Sequence, residues 1–329
     1  MRKSPSAVTG PDSSLFNRHA GALRARHGDR VWRIGLDGGF SCPNREGGRG
    51  SGGCLYCSPT AARAVYLPGG APSIAEQVKA GASFLKRRYG ARLFFPYFQA
   101  FSSTFAPTEV LRERYDEALA AVRRLPGGGL RGLVVATRPD CVDEERAALL
   151  SSYAEGGLEV WVELGLQSSH DRTLERIRRG HDFAAFERAS SMLAAGRSRA
   201  AGLRVAVHLI LGLPGESEED MLQTVSRIAS LGLDGVKFHD LLVPRGSALA
   251  AEYLAGELSL MHHARLPGLL ADCLERLNPE CEVIRLRSDA EAAGILAPRA
   301  RPGKNALYAA VEGALSSRGT RQGALFAGR

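Results

Sequence analysis

The chain has no long apolar run, and it has few cysteines for its length. No stretch of about 18 consecutive apolar residues occurs, which excludes a membrane-spanning helix of ordinary length. The N-terminal segment MRKSPSAVTGPDSS contains basic residues but leads into no apolar run, so we do not expect a secretory signal. Six cysteines among 329 residues do not resemble a disulfide framework. We therefore expect a protein of the reducing cytoplasm with no membrane partner.

The composition is otherwise that of an ordinary globular protein, with 44% hydrophobic and 24% charged residues. The net charge of +8 is concentrated at the two ends of the chain. Residues 1–33 hold seven Lys or Arg against two Asp or Glu, and residues 298–329 hold six against one. Basic ends on a nearly neutral body indicate a surface for a polyanion such as RNA. The alternative is that these charges only decorate solvated tails.

Apolar, strand-like runs alternate with helix-like segments along most of the chain. Near-continuous apolar runs are typical of parallel strands that are buried on both faces. Right-handed crossovers between such strands would curve the sheet into a partial barrel. We therefore predict an α/β fold with about six β/α units in a partial barrel. The predicted strands are Val31–Leu36, Arg92–Phe98, Leu130–Thr137, Leu158–Leu166, Leu203–Leu211 and Gly235–Asp240.

The pattern changes after Pro244. Two helices are predicted at Ser247–Leu254 and Leu260–Leu277, and a short strand at Glu282–Leu286. We expect a basic N-terminal segment, a barrel and a C-terminal α/β extension, at residues 1–30, 31–245 and 246–329 respectively. The extension should pack over the barrel and not form an independent domain.

Three cysteines lie in one glycine-rich loop directly after the first predicted strand. Cys42, Cys54 and Cys57 have the spacing C-x11-C-x2-C, and the glycines between them allow the loop to fold back. A structural zinc site is normally closed by four ligands, and this loop offers no fourth Cys or His. Three thiolates suit a [4Fe–4S] cluster that leaves one iron open to an exogenous ligand. Zinc completed by a remote ligand is the alternative.

An aromatic residue, Tyr56, directly precedes the last cysteine of the loop. This arrangement is similar to that of the radical S-adenosylmethionine (SAM) enzymes. In those enzymes the amino and carboxylate groups of SAM chelate the open iron, and the aromatic side chain lies by the adenine. The similarity implies a cofactor-binding role for Tyr56.

Polar residues gather where the predicted strands end, and in such barrels that end carries the active site. Glu163 lies on an apolar strand, so it must contact the amino group or ribose of SAM, or form an intramolecular pair with an arginine. Cys141 would donate a hydrogen atom, or be a small buried residue. Lys237 and His239 share one face of a strand and would contact substrate, or form a structural pair. The other candidates for cofactor binding are Gln99, Gln167, His208 and, in the turn GLPGE, Gly212.

Taken together, these motifs resemble one family. Segments similar to those of the YhcC/YtqA-type radical SAM proteins are LDGGFSCPNREG, GGCLYC, PYFQAFSSTFAP, TRPDC, VELGLQS, RIRRGHDF and HLILGLPGE. That family is grouped with the catalytic subunit of elongator and with oxygen-independent coproporphyrinogen oxidase. The resemblance implies a partial TIM barrel, a [4Fe–4S] cluster on the three loop cysteines, and SAM as cofactor. The segment APRARPGKN departs from the family, which often has a tryptophan after the AP pair.

The resemblance also implies a mechanism and partners. An external one-electron donor of the flavodoxin or ferredoxin type would reduce the cluster, and cleavage of SAM would yield a 5′-deoxyadenosyl radical that abstracts hydrogen from the substrate. Relatives that modify tRNA uridines, together with the basic ends, make a tRNA base the leading expectation for the substrate. The alternatives are a radical SAM enzyme that acts on a small molecule, and a non-catalytic zinc or RNA-binding module.

Overall fold

The computed structural model describes residues 14–45, 52–58, 64, 66–67, 72–289 and 292–328. Its strands are β1 (Val31–Leu36), β2 (Leu93–Phe98), β3 (Gly129–Leu130), β4 (Gly132–Thr137), β5 (Glu159–Gln167), β6 (Leu203–Leu211), β7 (Gly235–Asp240), β8 (Val243–Pro244), β9 (Glu282–Arg285) and β10 (Ile295–Ala297). Its helices are α1 (His19–His27), α2 (Ile74–Tyr89), α3 (Thr108–Arg123), α4 (Glu144–Glu155), α5 (Asp171–Arg176), α6 (Phe183–Arg197), α7 (Glu218–Ala229), α8 (Ala248–Leu254), α9 (Leu266–Arg276) and α10 (Lys304–Ser317). None of these helices is long and apolar enough to cross a membrane.

One curved parallel sheet organises the molecule. Its strands follow the order β1-β2-β4-β5-β6-β7-β9, and the two-residue β3 pairs with β2. Helices connect successive strands from β1 to β7, so the predicted α/β partial barrel of six β/α units is confirmed. The predicted strand Leu130–Thr137 is split in two at Arg131. Gly132 explains the close pairing that follows, because a Cβ there would lie 1.8 Å from the Glu159 carbonyl oxygen.

Both faces of the sheet are buried, which is why the strands are apolar along their whole length. On the outer face the helices pack against residues such as Phe98, whose ring centroid lies 5.0 Å from that of Tyr115. On the inner face a second cluster forms around Phe95, Trp161 and Ala206. The barrel interior is therefore packed at mid-height and leaves only its ends for a site.

Helix α1 closes the end of the barrel where the strands begin. His19 Nδ1 lies 2.7 Å from a Glu282 oxygen, and His27 Nε2 lies 2.8 Å from a Glu159 oxygen. Arg26 donates to both carboxylates. Because these contacts close the end of the barrel where the strands begin, a site inside the barrel must lie at the opposite end, at the carboxyl ends of the strands.

The C-terminal extension is built into the barrel as well as packed against it. Strand β9 pairs in parallel with β7, and Val283 of β9 also bridges to Arg18. Helix α9 begins later than predicted, after a short turn at His263–Arg265 and with a proline in its first turn, a position that proline favours. Strands β8 and β10 form a separate antiparallel ribbon. The extension thus adds the short strand β9 to the edge of the sheet, beside β7.

Candidate active site

The three loop cysteines follow β1 at the carboxyl end of the sheet, on a loop that is anchored at Leu55. This side chain is 1% exposed. Its backbone N–H donates to the Ile177 carbonyl at 3.1 Å, and its carbonyl accepts from the N–H of Leu249 at 2.9 Å. The N–H of Cys57 donates to the carbonyl of Cys54 at 2.9 Å, which places these two cysteines in one tight turn. The loop is therefore tied to the region after α5 and to the start of α8.

Guanidinium and amide groups point at the cysteine sulfur atoms. Asn44 Nδ2 lies 3.4 Å and Arg179 Nη1 lies 3.5 Å from Cys54 Sγ, and Arg45 Nη2 lies 3.0 Å from Cys57 Sγ. Burial alone would raise the pKa of the Cys54 thiol, but Arg179 and its neighbours hold that pKa below its ordinary value. At Cys57 burial outweighs Arg45 and raises the pKa. The thiolate is the form that binds iron, so donors aimed at these sulfur atoms fit ligating cysteines.

Polar atoms near the loop also lack partners. Asn44 Oδ1, Arg138 Nη1 and Arg179 Nε are buried and make no hydrogen bond to any residue that the structure describes. Leaving a buried donor or acceptor unsatisfied is costly, so such atoms indicate a bound group. Within the described ranges no three Cys, His, Asp or Glu side chains are gathered as around one ion.

Two glutamines lie above glycines on the inner face of the sheet. A Cβ on Gly35 would lie 2.7 Å from Gln99 Nε2, and a Cβ on Gly165 would lie 2.9 Å from Gln167 Nε2 and 2.7 Å from Arg179 Nη2. Gln167 has a φ of 82°, a strained value that clusters at functional sites. Neither glutamine side chain bonds to another residue in the described part of the chain. Glycine at both positions keeps this end of the barrel open for polar side chains.

Glu163 lies on the inner face of β5, and its carboxylate is fully occupied within the protein. One oxygen accepts from Arg33. The other accepts from Tyr97 Oη at 2.7 Å and from His208 Nε2 and Lys237 Nζ at 2.8 Å each. Burial opposes the charge, but Arg33, Lys237 and His208 hold the pKa of Glu163 well below its usual range. The structure thus shows the intramolecular pair with an arginine that was the alternative to a SAM contact.

Lys237 and His208 belong to the same buried network. Lys237 is 2% exposed, and its Nζ also lies 2.8 Å from Tyr97 Oη. Burial lowers the pKa of Lys237 to about 7 although Glu163 opposes the shift. Burial, reinforced by Lys237, lowers the pKa of His208 to about 4. Lys237 forms the structural pairing that was one of its two expected roles, and its contact with a substrate stays a prediction.

His239 lies two residues after Lys237 on β7, but it is less completely hydrogen-bonded. Its Nδ1 lies 3.3 Å from Ser288 Oγ, and its ring centroid lies 5.4 Å from that of His208. Its Nε2 is buried and has no partner among the described residues. Of the two residues expected to reach a substrate, His239 is the one with an available polar atom.

Cys141 ends the 3-10 turn Pro139–Cys141 that follows β4. It is 7% exposed, its carbonyl accepts from Thr104 Oγ1 at 2.6 Å, and burial raises the pKa of its thiol to about 12. Its burial agrees with the interpretation as a small buried residue. Cys273 and Cys281 are buried too, in and after α9, as the sequence suggested for structural positions.

Tyr56 was expected near the adenine of SAM, and Gly212 was expected to bind the cofactor. Tyr56 packs against the hydrophobic core, and burial raises the pKa of its hydroxyl far above the ordinary value. Gly212 has a φ of 84°, and its N–H lies 3.0 Å from Met221 Sδ. No contact of either residue tests a cofactor role, so both stay predictions.

About half of the basic side chains that the structure describes at the two ends of the chain form ion pairs. Arg301 donates to both oxygens of Asp240, which is 3% exposed, at 2.8 Å. Other arginines of the two ends are paired in the same way: Arg18 with Glu312, Arg26 with Glu159 and Glu282, Arg33 with Glu163, and Arg318 with Asp272. Arg299 and Lys304 are exposed. Among the described residues, carboxylates from other parts of the chain therefore offset part of the excess charge counted at the ends.

Sequence reasoning missed several residues that the fold brings to the site. Arg179 reaches Cys54 from 125 positions away. Its motif, RIRRGHDF, was noted as part of the family resemblance but no role was given to it. Arg33 and Tyr97 were read only as parts of strands. In the sheet order Tyr97 lies two strands and Arg33 three strands from Glu163. The alternation of side chains along a strand, which puts all three on the inner face, was the available signal.

Comparison with known proteins assigns the chain's main parts. Residues 47–228 match the family model of the Radical SAM superfamily, and residues 233–317 match that of the Radical_SAM C-terminal domain. Protein YhcC of Escherichia coli (strain K12) is 40% identical over 284 residues, which are 86% of this chain and 87% of that protein. A tRNA-2-methylthio-N(6)-dimethylallyladenosine synthase of Halorhodospira halophila is 34% identical over 143 residues, 43% of this chain and 29% of that protein.

A solved structure shares the fold. It is that of Elp3 from the archaeon Methanocaldococcus infernus with an N-terminal deletion, and it superposes with a TM-score of 0.67 at 19% sequence identity. The match covers 89% of this chain and 64% of that chain, so this chain spans slightly less than two thirds of the Elp3 structure. The likeness supports the partial barrel and its C-terminal extension.

Proposed function

The chain belongs to the Radical SAM superfamily, and on that premise we propose that it holds a [4Fe–4S] cluster on Cys42, Cys54 and Cys57 and cleaves SAM to modify a tRNA base. The protein is a radical SAM enzyme, so the non-catalytic zinc or RNA-binding alternative is set aside. Members of the superfamily generally use such a cluster with SAM and an external electron donor. When bound, the cluster supplies the electron for reductive cleavage of SAM.

The observation that carries the cluster assignment is the set of donors around the cysteine sulfur atoms. Asn44 and Arg179 approach Cys54, and Arg45 approaches Cys57. Hydrogen bonds and positive charge near thiolate ligands stabilise their charge and tune the reduction potential of a cluster. The match to the superfamily model begins at residue 47, so the assignment of Cys42 rests on its place in the same loop.

The polar groups beside the loop support a site for SAM. The amides of Gln99 and Gln167 would hydrogen-bond its amino acid part or ribose, and the guanidinium of Arg179 would attract its carboxylate. Tyr56 and Gly212 would flank the adenine. In this proposal Glu163 does not touch SAM; it holds Arg33, Tyr97 and Lys237 in place beneath the site.

His239 is the residue that we propose to meet the substrate. Its Nε2 is buried and has no hydrogen-bond partner among the described residues. A hydrogen bond to a bound molecule would offset the free-energy cost of burying this polar atom. Burial and the neighbouring His208 hold the pKa of His239 well below its ordinary value, so the imidazole is neutral and can donate or accept.

The tRNA substrate is supported by relatives whose names give a tRNA activity, among them the synthase of Halorhodospira halophila that matches 43% of this chain. The experiment that tests it is mass spectrometry of tRNA nucleosides from a strain that lacks the gene. We expect one modified nucleoside to disappear, and to return with the wild-type gene but not with a Cys54→Ala variant. If every tRNA nucleoside is unchanged while the purified protein still cleaves SAM, the tRNA substrate is wrong and the small-molecule alternative is favoured.

A further inference from the structure

The closed end of the barrel, opposite the cysteine loop, carries a concentration of exposed arginines. They come from the α1–β1 connection, the end of α2 and its connection to β2, and the end of α3. We call this surface the base patch; it consists of Arg30, Arg87, Arg88, Arg92, Arg123 and Arg124, all of them exposed. Most lie outside the two basic ends of the sequence, so a count of charge along the chain does not reveal them.

Backbone contacts make the base patch continuous. Strands β1 and β2 start side by side, since Val31 pairs with Leu93, and this places Arg30 next to Arg92. Lys86 Nζ donates to the Pro126 carbonyl at 2.6 Å and so joins the end of α2 to the loop after α3. The three connections therefore meet on one face.

The arginines of the base patch are poorly neutralised. Within the described part of the chain, Arg92 has one carboxylate partner, Asp29, at 3.6 Å, and the Arg92 side chain is 76% exposed in that pair. The others form no ion pair with any residue that the structure describes. An exposed pair at this separation contributes little, so the patch keeps most of its positive charge.

Two aromatic rings are stacked within the patch. The Trp32 and Tyr89 rings lie 4.3 Å apart at 16°, and Arg30 lies 4.1 Å from the centroid of Trp32 on this stack. Arg88 lies 5.4 Å from the Tyr89 centroid, and Tyr89 is 48% exposed. A large ring that is half exposed and flanked by guanidinium groups is suited to stack on a planar, electron-rich partner.

From this combination we propose that the base patch binds RNA, with phosphates on its arginines and an unpaired base stacked at Tyr89. Alternation of guanidinium groups and aromatic faces is how single-stranded nucleic acid is held without sequence preference. A lipid surface or an acidic protein would use the charge but not the stacked rings. The proposal rests on the tRNA substrate of the proposed function and adds a second contact region to it.

The geometry allows one RNA to reach both ends of the barrel. Strands β1 and β2, which begin at the base patch, are six residues long each, which corresponds to roughly 20 Å at the usual rise of a strand. A folded tRNA is longer than this, so one part of it would lie on the base patch while another enters the barrel at the cysteine loop. The base patch would thus add affinity for the RNA, and the residues of the barrel would select the base that is modified.

The test is the binding of a tRNA transcript and of a labelled oligouridine to the anaerobically purified full-length protein, at several salt concentrations. Replacing Arg87, Arg88 and Arg123 together with alanine should weaken tRNA binding at least tenfold. Each lost phosphate contact lowers the slope of log affinity against log salt by about 0.7, so the slope should fall by about 2. The matched control replaces three other exposed arginines, Arg112, Arg199 and Arg321, and should change binding less than twofold. Arg112 lies on the same helix as Arg123, at its other end.

The stacking part of the proposal has its own variants. Tyr89→Leu should weaken oligouridine binding about tenfold, because loss of one stacked base costs roughly that factor. Tyr89→Phe keeps the ring and should bind like the wild type. Equal effects of Tyr89→Leu and Tyr89→Phe would overturn the stacking contact.

Three results would overturn the base patch as an RNA site. They are equal losses in the arginine triple and its control, no tRNA binding by the wild type, and binding of phosphatidylserine vesicles in place of RNA. SAM cleavage without RNA, measured on the same preparations, reports separately on the proposed function. A wild type that binds tRNA through the patch but cleaves no SAM would contradict that function and leave this proposal standing.

Discussion

Replacing Glu163 with Gln tests the buried network beneath the site. The change keeps the shape of the side chain but removes the single carboxylate that Arg33, Tyr97, His208 and Lys237 share. Breaking a buried ion pair by removing one partner costs about 3–5 kcal/mol, because the remaining charge is left uncompensated. For a protein of this size we expect the melting temperature to fall by roughly 5–10 °C.

The cost should depend on pH in a defined direction. The pKa of Lys237 is lowered from 10.5 to about 7 in the folded protein, so the unfolded chain binds more protons between these values and stability rises with pH there. Glu163→Gln removes the charge that opposes this shift, and the folded pKa of Lys237 should fall below 7. The variant should therefore lose most free energy of unfolding, relative to the wild type, at acid pH, and this loss should become smaller as the pH approaches 7. Above pH 7, only the part of the loss that comes from the unpaired Arg33 should remain.

The assay is urea unfolding at several pH values between about 5.5 and 8.5, a range in which Glu163 stays charged because its pKa is depressed. Lys237→Met in the Glu163→Gln background should restore part of the lost stability, with a coupling energy of about 1–3 kcal/mol. Additive effects of the two substitutions would refute the shared-charge interpretation. A loss of SAM affinity at unchanged stability would also refute it, and would return Glu163 to direct SAM binding.

Other predictions follow from the same contacts. Anaerobic iron analysis should show loss of bound iron and of SAM cleavage when any loop cysteine is replaced with alanine, whereas Cys273→Ala should keep both. Loss of iron in Cys273→Ala would contradict the ligand assignment, which is to Cys42, Cys54 and Cys57. Gly165→Ala places a Cβ 2.7 Å from Arg179 Nη2, so SAM affinity measured by calorimetry should fall, while the free energy of unfolding stays within about 1 kcal/mol of the wild-type value. Arg301→Ala leaves the buried Asp240 without its guanidinium partner and should lower the free energy of unfolding, measured in urea, by about 3 kcal/mol. The control Arg299→Ala changes an exposed side chain and should leave the free energy of unfolding unchanged. Equal effects of the two substitutions would mean that the buried pair is not stabilising.

Local sequence signals were sufficient for the strands of the barrel. The predicted strands Val31–Leu36, Leu203–Leu211 and Gly235–Asp240 have the bounds that the structure shows. Each is an apolar run bounded by turn residues, and a strand buried on both faces needs no other information. The three loop cysteines and the family were equally visible, because spacing in one loop and motifs in order along the chain are local properties. The match to the superfamily model confirmed the family.

Where charged groups end up depended on contacts between distant parts of the chain. The sequence showed that Glu163 needed a partner, but which groups surround it is set by the curvature that brings β1, β2, β6 and β7 to one interior. Similarly, the segment before α10 brings Arg301 to Asp240 at the end of β7, and this pairing removes Arg301 from the basic surface that its position suggested. Conversely, the arginines of the base patch come from three separate connections and form a surface only after the strands align. Composition and periodicity determine which segments are buried, whereas charges act over distances in space, so their pairing was decided by the tertiary structure alone.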